Sequence, residues 1–528
     1  MKHFLLLVCL FLIVITHRVG AADIPPNRVW FVTDFGAVGD GETLNTKVLQ
    51  SVIDTCSNAG GGTVRFTPGT FLSGTLFLKD NVTLNLDAGA VLLGSKNKDD
   101  YIPIPRTNIR EQPAFHFTDG SFLLYAENAK NVTIEGHGTI NGNGNSFWYD
   151  EMLTAHVRKP KEWRPRALIC FVLSQNIVLQ DVTLSNSPTF TFWSIACEDI
   201  NINGIRIINP QKGPNTDGLD LDCCRRVTVS NCIIEGGDDA IAIKSDSGIL
   251  GAKEYPCEDI TITNCVLQSG PACGIRIGYE GDSVIRNCTF SNLTIYDTDI
   301  GLDIVSILPN RNDCTILKGT RIKNILFDNI TMRNVRQAIY FWMGNELPEQ
   351  ESQLELQDIR INNIIAECRV GSLIGSFTDQ QRIKNIFLSN VTLIPTENQP
   401  EGLPLSGSGI WGGNNPYALY ITNTENVQID RFFVDFRAAQ GYWSHAVFCE
   451  NSKGISLDRF STKNFTALSS VSQIGLKNSS AFINASHAEP ETVFLKAEKS
   501  KITLGVNQIE KTPNNITIDA DSQVIENR

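Results

Sequence analysis

Positive charge is scarce in this 528-residue chain: 45 Lys and Arg face 57 Asp and Glu, a net charge of −12. An acidic protein repels phosphate backbones, which excludes nucleic acid as a partner. A polyanionic ligand would need a local cluster of cations. Long apolar runs are missing after the first two dozen residues, so no later segment is suited to span a bilayer. No CxxC pair and no histidine cluster has zinc spacing, and no metal is expected. Helical periodicity over ten residues or more is nearly absent, which leaves the strand as the main building block.

Residues 1–22 carry a basic start (Lys2, His3), an apolar run from Phe4 to Ile15 and the small residues Gly20-Ala21-Ala22. This is the pattern of a secretory signal peptide cut near Ala21 or Ala22. The mature chain, 23–528, is expected to be exported, soluble, free of the membrane after cleavage and monomeric. Of 14 cysteines, Cys9 leaves with the leader. An odd number remains, so at least one thiol is unpaired within the chain. Cys232, Cys265 and Cys288 each follow an Asn at one expected repeat position. They read as a buried ladder of small apolar side chains rather than as bridges. The pair Cys223-Cys224 leaves a bridge open.

The stretch Gly213–Gly281 holds three copies of one template, a small residue followed by aliphatic and variable residues in alternation. They are Gly218-Leu219-Asp220-Leu221-Asp222, Ala240-Ile241-Ala242-Ile243-Lys244 and Gly274-Ile275-Arg276-Ile277-Gly278, with further copies at 301–305 and 338–342. Strands alternate faces, so the aliphatic pair points one way and the variable pair the other. Short strands returning every 20–40 residues or so predict a solenoid whose turns stack. Elsewhere an Asn or Asp leads alternating aliphatic and polar residues, as in Asn81-Val82-Thr83-Leu84, Asn131-Val132-Thr133-Ile134 and Asn324-Ile325-Leu326-Phe327. Asn and Asp tolerate the left-handed corner that starts each strand. The fold class is all-β, a parallel β-helix. Residues 23–60 form its N-terminal cap, with a short helix from about Lys47 to Ala59, and coils run over 61–528. Long loops at 139–166 and 395–417 are placed to wall a binding site. Sequons such as Asn81, Asn131 and Asn390 are in part a by-product of the same phrase.

Stacking sets Asp217, Asp239, Cys273 and Ile300 in one column, with Asp238 beside the acids. Three carboxylates so close cannot all ionise freely. A proton donor beside a water-activating carboxylate is what glycosidic cleavage needs. Lys244 and Arg276 occupy outward slots on the same face, as do Asp220 and Asp303. Tyr340 and Trp342 lie two coils further on, where aromatic faces could stack on sugar rings or, equally, lie covered by a loop.

Asn215-Thr216-Asp217 and Gly237-Asp238-Asp239, at this spacing, resemble two of the four signature motifs of glycoside hydrolase family 28, the polygalacturonases and their relatives, including rhamnogalacturonan hydrolases. Asp34–Gly41, Arg164-Pro165-Arg166 and Asn186-Ser187-Pro188 are similar to further segments of that superfamily. The resemblance implies a right-handed, single-stranded β-helix of the pectin-lyase-like kind and inverting hydrolysis without a metal or other cofactor. It assigns Asp238 as general acid, with Asp217 and Asp239 positioning water. The substrate it implies is a pectic, galacturonic-acid-containing polysaccharide or a related wall glycan. Two motifs depart: Cys273 stands where the family has a histidine, and Asp303-Ile304-Val305 stands where it has Arg-Ile-Lys. Literal Arg-Ile-Lys runs at 321–323 and 382–384 are read as coil corners. Arg276 and Lys244 are the candidates to replace the lost cations toward a uronate. If the subsite takes a neutral sugar, Arg276 pairs with Asp303 instead. A polysaccharide lyase on the same fold and a non-catalytic carbohydrate-binding β-helix are the alternatives.

Overall fold

The computed structural model describes residues 28–105, 119–246, 250–251, 253–310, 316–396, 415–439, 443–465, 471–509 and 515–526. The leader and most of the 395–417 loop lie outside them. Alternating aliphatic residues behind an Asn or Asp form strands, and 39 of these join in one hydrogen-bonded sheet. Its successive passes pair in parallel: Phe192 on Leu219, Ile200 on Val227 and Ile207 on Ile234. One pass is Phe190–Ile195, Glu198–Asn203 and Arg206–Ile208. The next is Leu219–Asp222, Arg225–Ser230 and Ile233–Gly236. Parallel strands joined by short crossovers wind right-handed, and the fold is a right-handed parallel β-helix. Inward aliphatics from every pass merge into one core running along the axis.

Two corners of the coil carry the Asn/Asp signal, five residues apart. Asp259, Asn287, Asn324, Asp358 and Asn385 take φ of 55–57° at the first, and Asn264, Asn292, Asn329, Asn363 and Asn390 take 55–56° at the second. Their amides bond from coil to coil, Asn329 Nδ2 to Asn292 Oδ1 at 2.8 Å and Asn390 Nδ2 to Asn363 Oδ1 at 2.8 Å. The sequons at Asn81 and Asn131 belong to such a ladder, Asn131 Nδ2 donating to Asn81 Oδ1 at 2.7 Å. The doubled signal corrects the expected cysteine column. Cys265 stacks on Leu293, whereas Cys288 stacks on Ile260, because Asn287 marks the first corner and Asn264 the second. Every described cysteine, Cys223 and Cys224 included, is a buried free thiol.

Left-handed geometry at a corner predicts a ranking of substitutions. Asn292→Ala should lose about 1–2 kcal/mol, the left-handed cost for a residue with a Cβ. Asn292→Gly should lose less, since glycine forfeits only the ladder bonds. Guanidinium unfolding of the two variants checks this. Equal losses would place the stabilisation in the hydrogen bonds instead.

The one α-helix among the described residues, Thr46–Asn58, buries Leu49, Val52, Ile53 and Cys56 against the first coils. Paired strands lie on both sides of it. Val29–Phe31 already pairs with Thr63–Arg65, so the sheet begins ahead of the helix. In the 139–166 segment, Thr139–Asn141 continues the coil, and Trp148–Met152 then pairs antiparallel with Arg158–Pro160. No described helix is long and apolar enough to cross a membrane.

Candidate active site

The site grows from four parallel strands, Leu219–Asp222, Ile241–Ser245, Cys273–Gly281 and Ile300–Leu308. Their register aligns Leu219, Ile241, Ile275 and Leu302 inward, and Asp220, Ala242, Arg276 and Asp303 on the other face. Asp217, Asp238 and Asp239 stand at the head of these strands. One carboxylate oxygen from each lies within 4.8 Å of the others. Asp217 and Asp239 are buried, and Asp238 is partly open.

The three acids differ in their partners. Asp239 is tied at both oxygens: the backbone N–H of Cys273 donates to Oδ1 at 2.9 Å, and Arg276 Nε meets Oδ2 at 2.8 Å. Asp217 Oδ2 is 3.9 Å from Lys244 Nζ, while its buried Oδ1 has no hydrogen-bond partner among the described residues. A buried acceptor without a partner is costly. Burial, then the nearby Asp220 and Asp238, raise the Asp217 carboxyl well above the usual range, against the pull of Lys244. Burial and the charge of Asp239 push Asp238 up to about 7, although Arg276 and Lys244 oppose the shift. Asp238 thus holds a proton near neutrality, as a general acid must.

Lys244 and Arg276 are both committed to internal acids. Lys244 Nζ reaches Asp220 at 2.8 Å and Glu280 at 2.7 Å, and sits 4.4 Å over the Phe190 ring. Burial alone would lower its pKa, but Asp220, Glu280 and Asp217 outweigh that and hold it well above the ordinary value. Arg276 pairs with Asp303 at 3.2 Å as well as with Asp239. The trio is the grouping among the described residues that could surround a divalent cation. The two buried side-chain cations already bring positive charge to it.

Glu280 was invisible as a site residue in the sequence. A bulge opens between Ile277 and Gly281, with Tyr279 at φ 67°, and turns Glu280 back toward Lys244. The available signal was the Gly278-Tyr279-Glu280-Gly281 run at the end of the template. Arg164 joins three of the quoted segments: Nη2 donates to Asn215 Oδ1 at 2.7 Å, and Nη1 donates to the carbonyls of Pro188 and Pro214. Burial lowers its pKa to about 10. Gly237 is required at its position, since a Cβ there would lie 2.5 Å from Thr216 Oγ1 and 2.7 Å from the Gly213 carbonyl.

Tyr340 and Trp342 do not line an open platform. Tyr340 is 0% exposed and Trp342 is 4%. Their rings stack on each other and pack with Cys273, Ile300, Val305 and Leu373 in a separate apolar cluster. The face that could have met sugar is buried in that cluster, which also takes in Ile307, Leu308 and Ile316. Arg321 and Lys323 lie on another wall of the coil, stacked on Val284 and Arg286, away from the acids.

With this geometry established, comparison with known proteins is direct. Residues 116–394 match the model of glycosyl hydrolases family 28. The "Probable polygalacturonase" of Vitis vinifera is 30% identical over 69% of this chain and 73% of its own length. The "Endo-polygalacturonase" of Pectobacterium carotovorum subsp. carotovorum is 27% identical over 66% of this chain and 84% of its own. The family 28 exopolygalacturonase structure from Yersinia enterocolitica superposes with a TM-score of 0.62 at 21% identity, covering 82% of this chain and 78% of that one. The chain belongs to glycosyl hydrolases family 28. It is a polygalacturonase-type glycosidase on a right-handed β-helix.

Proposed function

We propose that this protein is a secreted hydrolase of a pectic, galacturonic-acid-containing polysaccharide or a related wall glycan, acting with inversion at the anomeric carbon. The observation that carries the reading is the division of labour among three carboxyls with oxygens within 4.8 Å of one another: Asp238 is the one partly open to solvent, and Asp239 is tied at both oxygens. Asp238 gives its proton to the glycosidic oxygen as the C–O bond breaks. Water attacks the anomeric carbon from the opposite side and yields a proton to Asp239, with Asp217 orienting it. Solvent exchange then returns the acid and base to their starting states.

A separation this short, taken alone, would suit a retaining enzyme, since inverting pairs commonly stand roughly 6.5–9.5 Å apart. A carboxylate with both oxygens engaged is a poor nucleophile, however, and a good holder of water. That favours inversion, and the family resemblance agrees. Export is supported by the basic, apolar and small-residue segments of residues 1–22.

The test is incubation of purified protein with a panel of pectic and algal polysaccharides, with reducing ends and ultraviolet absorbance read together. Reducing ends without new absorbance support hydrolysis. Reducing ends that rise with absorbance would indicate a lyase, and no change in either across the panel would favour a binding protein.

A further inference from the structure

We propose that Arg276 is a positioning residue for the water-activating carboxylate and not a clamp for substrate carboxylate: Cys273 and Asp303 lock its guanidinium against Asp239. The inference rests on the hydrolase reading above and adds to it the source of the base's alignment.

The geometry is a closed ring. Arg276 Nε meets Asp239 Oδ2 at 2.8 Å, and Nη2 meets Asp303 Oδ2 at 3.2 Å and Cys273 Sγ at 3.0 Å. The Cys273 thiol donates to Asp303 Oδ2 at 3.3 Å, and its backbone N–H returns to Asp239 Oδ1 at 2.9 Å. The ring is buried: Arg276 is 3% exposed, and Cys273 and Asp303 are 0%. At Nε and Nη2 a substrate carboxylate could bind only by displacing one of these acids. Leaving a buried carboxylate without its cation costs several kcal/mol, roughly. A cation between two carboxylates also presents no net positive charge to an incoming anion.

The two departures from the family motifs are therefore one change. Cys273 and Asp303 both hold Arg276 beside its pairing with Asp239. A thiol is small enough to let the guanidinium approach Asp239, and an acid at 303 supplies the second anchor. The surrounding charges leave this ring intact. Lys244 is taken by Asp220 and Glu280, and Asp299 by Arg336 at 2.6 Å. Asp217 and Asp238 each bring a carboxylate oxygen within 4.8 Å of one of Asp239. The Tyr279 ring lies 5.5 Å from the guanidinium carbon, and Tyr340 follows Asp303 in the column.

The experiment measures kcat and KM for Arg276→Ala, Arg276→Lys and Asp303→Asn. Each is assayed on a galacturonate oligosaccharide and on its carboxyl-reduced counterpart. Arg276→Ala should lower kcat about 10²-fold on both substrates, the cost of a misplaced reacting group, with KM little changed. Arg276→Lys should recover part of the lost kcat on both substrates, since a point charge restores the pairing but cannot span three partners. Asp303→Asn should lower kcat by a smaller factor on both substrates with KM little changed, because the guanidinium loses one anchor.

A loss selective for the uronate substrate would overturn the proposal in favour of a clamp. Equal losses that Arg276→Lys does not relieve, with KM raised alongside, would reduce Arg276 to a structural role. If Arg276→Ala does not fold, a wild-type kcat in Asp303→Asn overturns the proposal by itself. Asp238→Asn is assayed alongside. Retained activity there would sink the hydrolase assignment, whereas an inactive Asp238→Asn beside a clamp-like Arg276 would sink only this inference.

Discussion

Asp238→Asn should lower turnover roughly 10²–10⁴-fold, the usual worth of general acid assistance, with KM and thermal stability close to wild type. Asparagine keeps the shape of the side chain and cannot give up a proton to the leaving oxygen. The effect should carry a pH signature. Burial and Asp239 raise the Asp238 carboxyl to about 7, so it is protonated below neutrality and lost as a donor above. The wild-type rate should therefore descend as pH rises through about 7, and the residual rate of Asp238→Asn should lack that limb. A wild-type rate that stays level well above neutrality, or a variant that turns over normally, would remove the acid from Asp238.

Lys244→Met should be the most damaging single change to stability. It leaves Asp220, which is 0% exposed, and Glu280 without the ammonium that both meet within 2.8 Å. Breaking a buried pair by deleting one partner costs about 3–5 kcal/mol. The cost should depend on pH, and its sign follows from the acid. Burial, opposed by Lys244, raises Asp220 from 3.8 to about 6. A raised carboxyl favours the folded state below its unfolded pKa, and that contribution is lost as pH rises through the folded value. Without Lys244 the charged form is worse still, so the deficit of the variant should grow from pH 5 to pH 8. Adding Asp220→Asn to Lys244→Met should recover much of it. Denaturant unfolding at the two pH values measures this, and a deficit below about 1 kcal/mol at pH 8 would show that the ammonium is dispensable.

Much of the architecture could be read from the chain because its corner signal is chemical. Asn and Asp occupy left-handed positions once or twice per coil, and the aliphatic alternation behind them sets the faces. The template at 218–222, 240–244 and 274–278 even carried the register, since parallel stacking preserves sequence offsets from coil to coil. Where two corners share one signal, offsets become ambiguous, and Cys288 was placed in the wrong column for that reason. Glu280 escaped because a bulge breaks the alternation that sequence reasoning relies on. For Tyr340 and Trp342 the sequence leaves sugar contact and a covered surface equally open, for a third reason. Alternation tells which face a side chain takes, not whether that face is covered, and here it is buried in one cluster with Ile307, Leu308 and Ile316. The choice between the two readings of Arg276 likewise needed distances, because pairing with Asp303 and with Asp239 at once is a matter of a few ångströms.

The most direct test of the account is the anomeric form of the first reducing end released, followed by proton NMR before mutarotation scrambles it. Water activated by Asp239 and directed by Asp217 predicts that the new end appears first in the anomer opposite to that of the bond cleaved. First appearance of the same anomer would mean that a carboxylate attacks the sugar directly, and would contradict the assignment of Asp239 as a water-holding base.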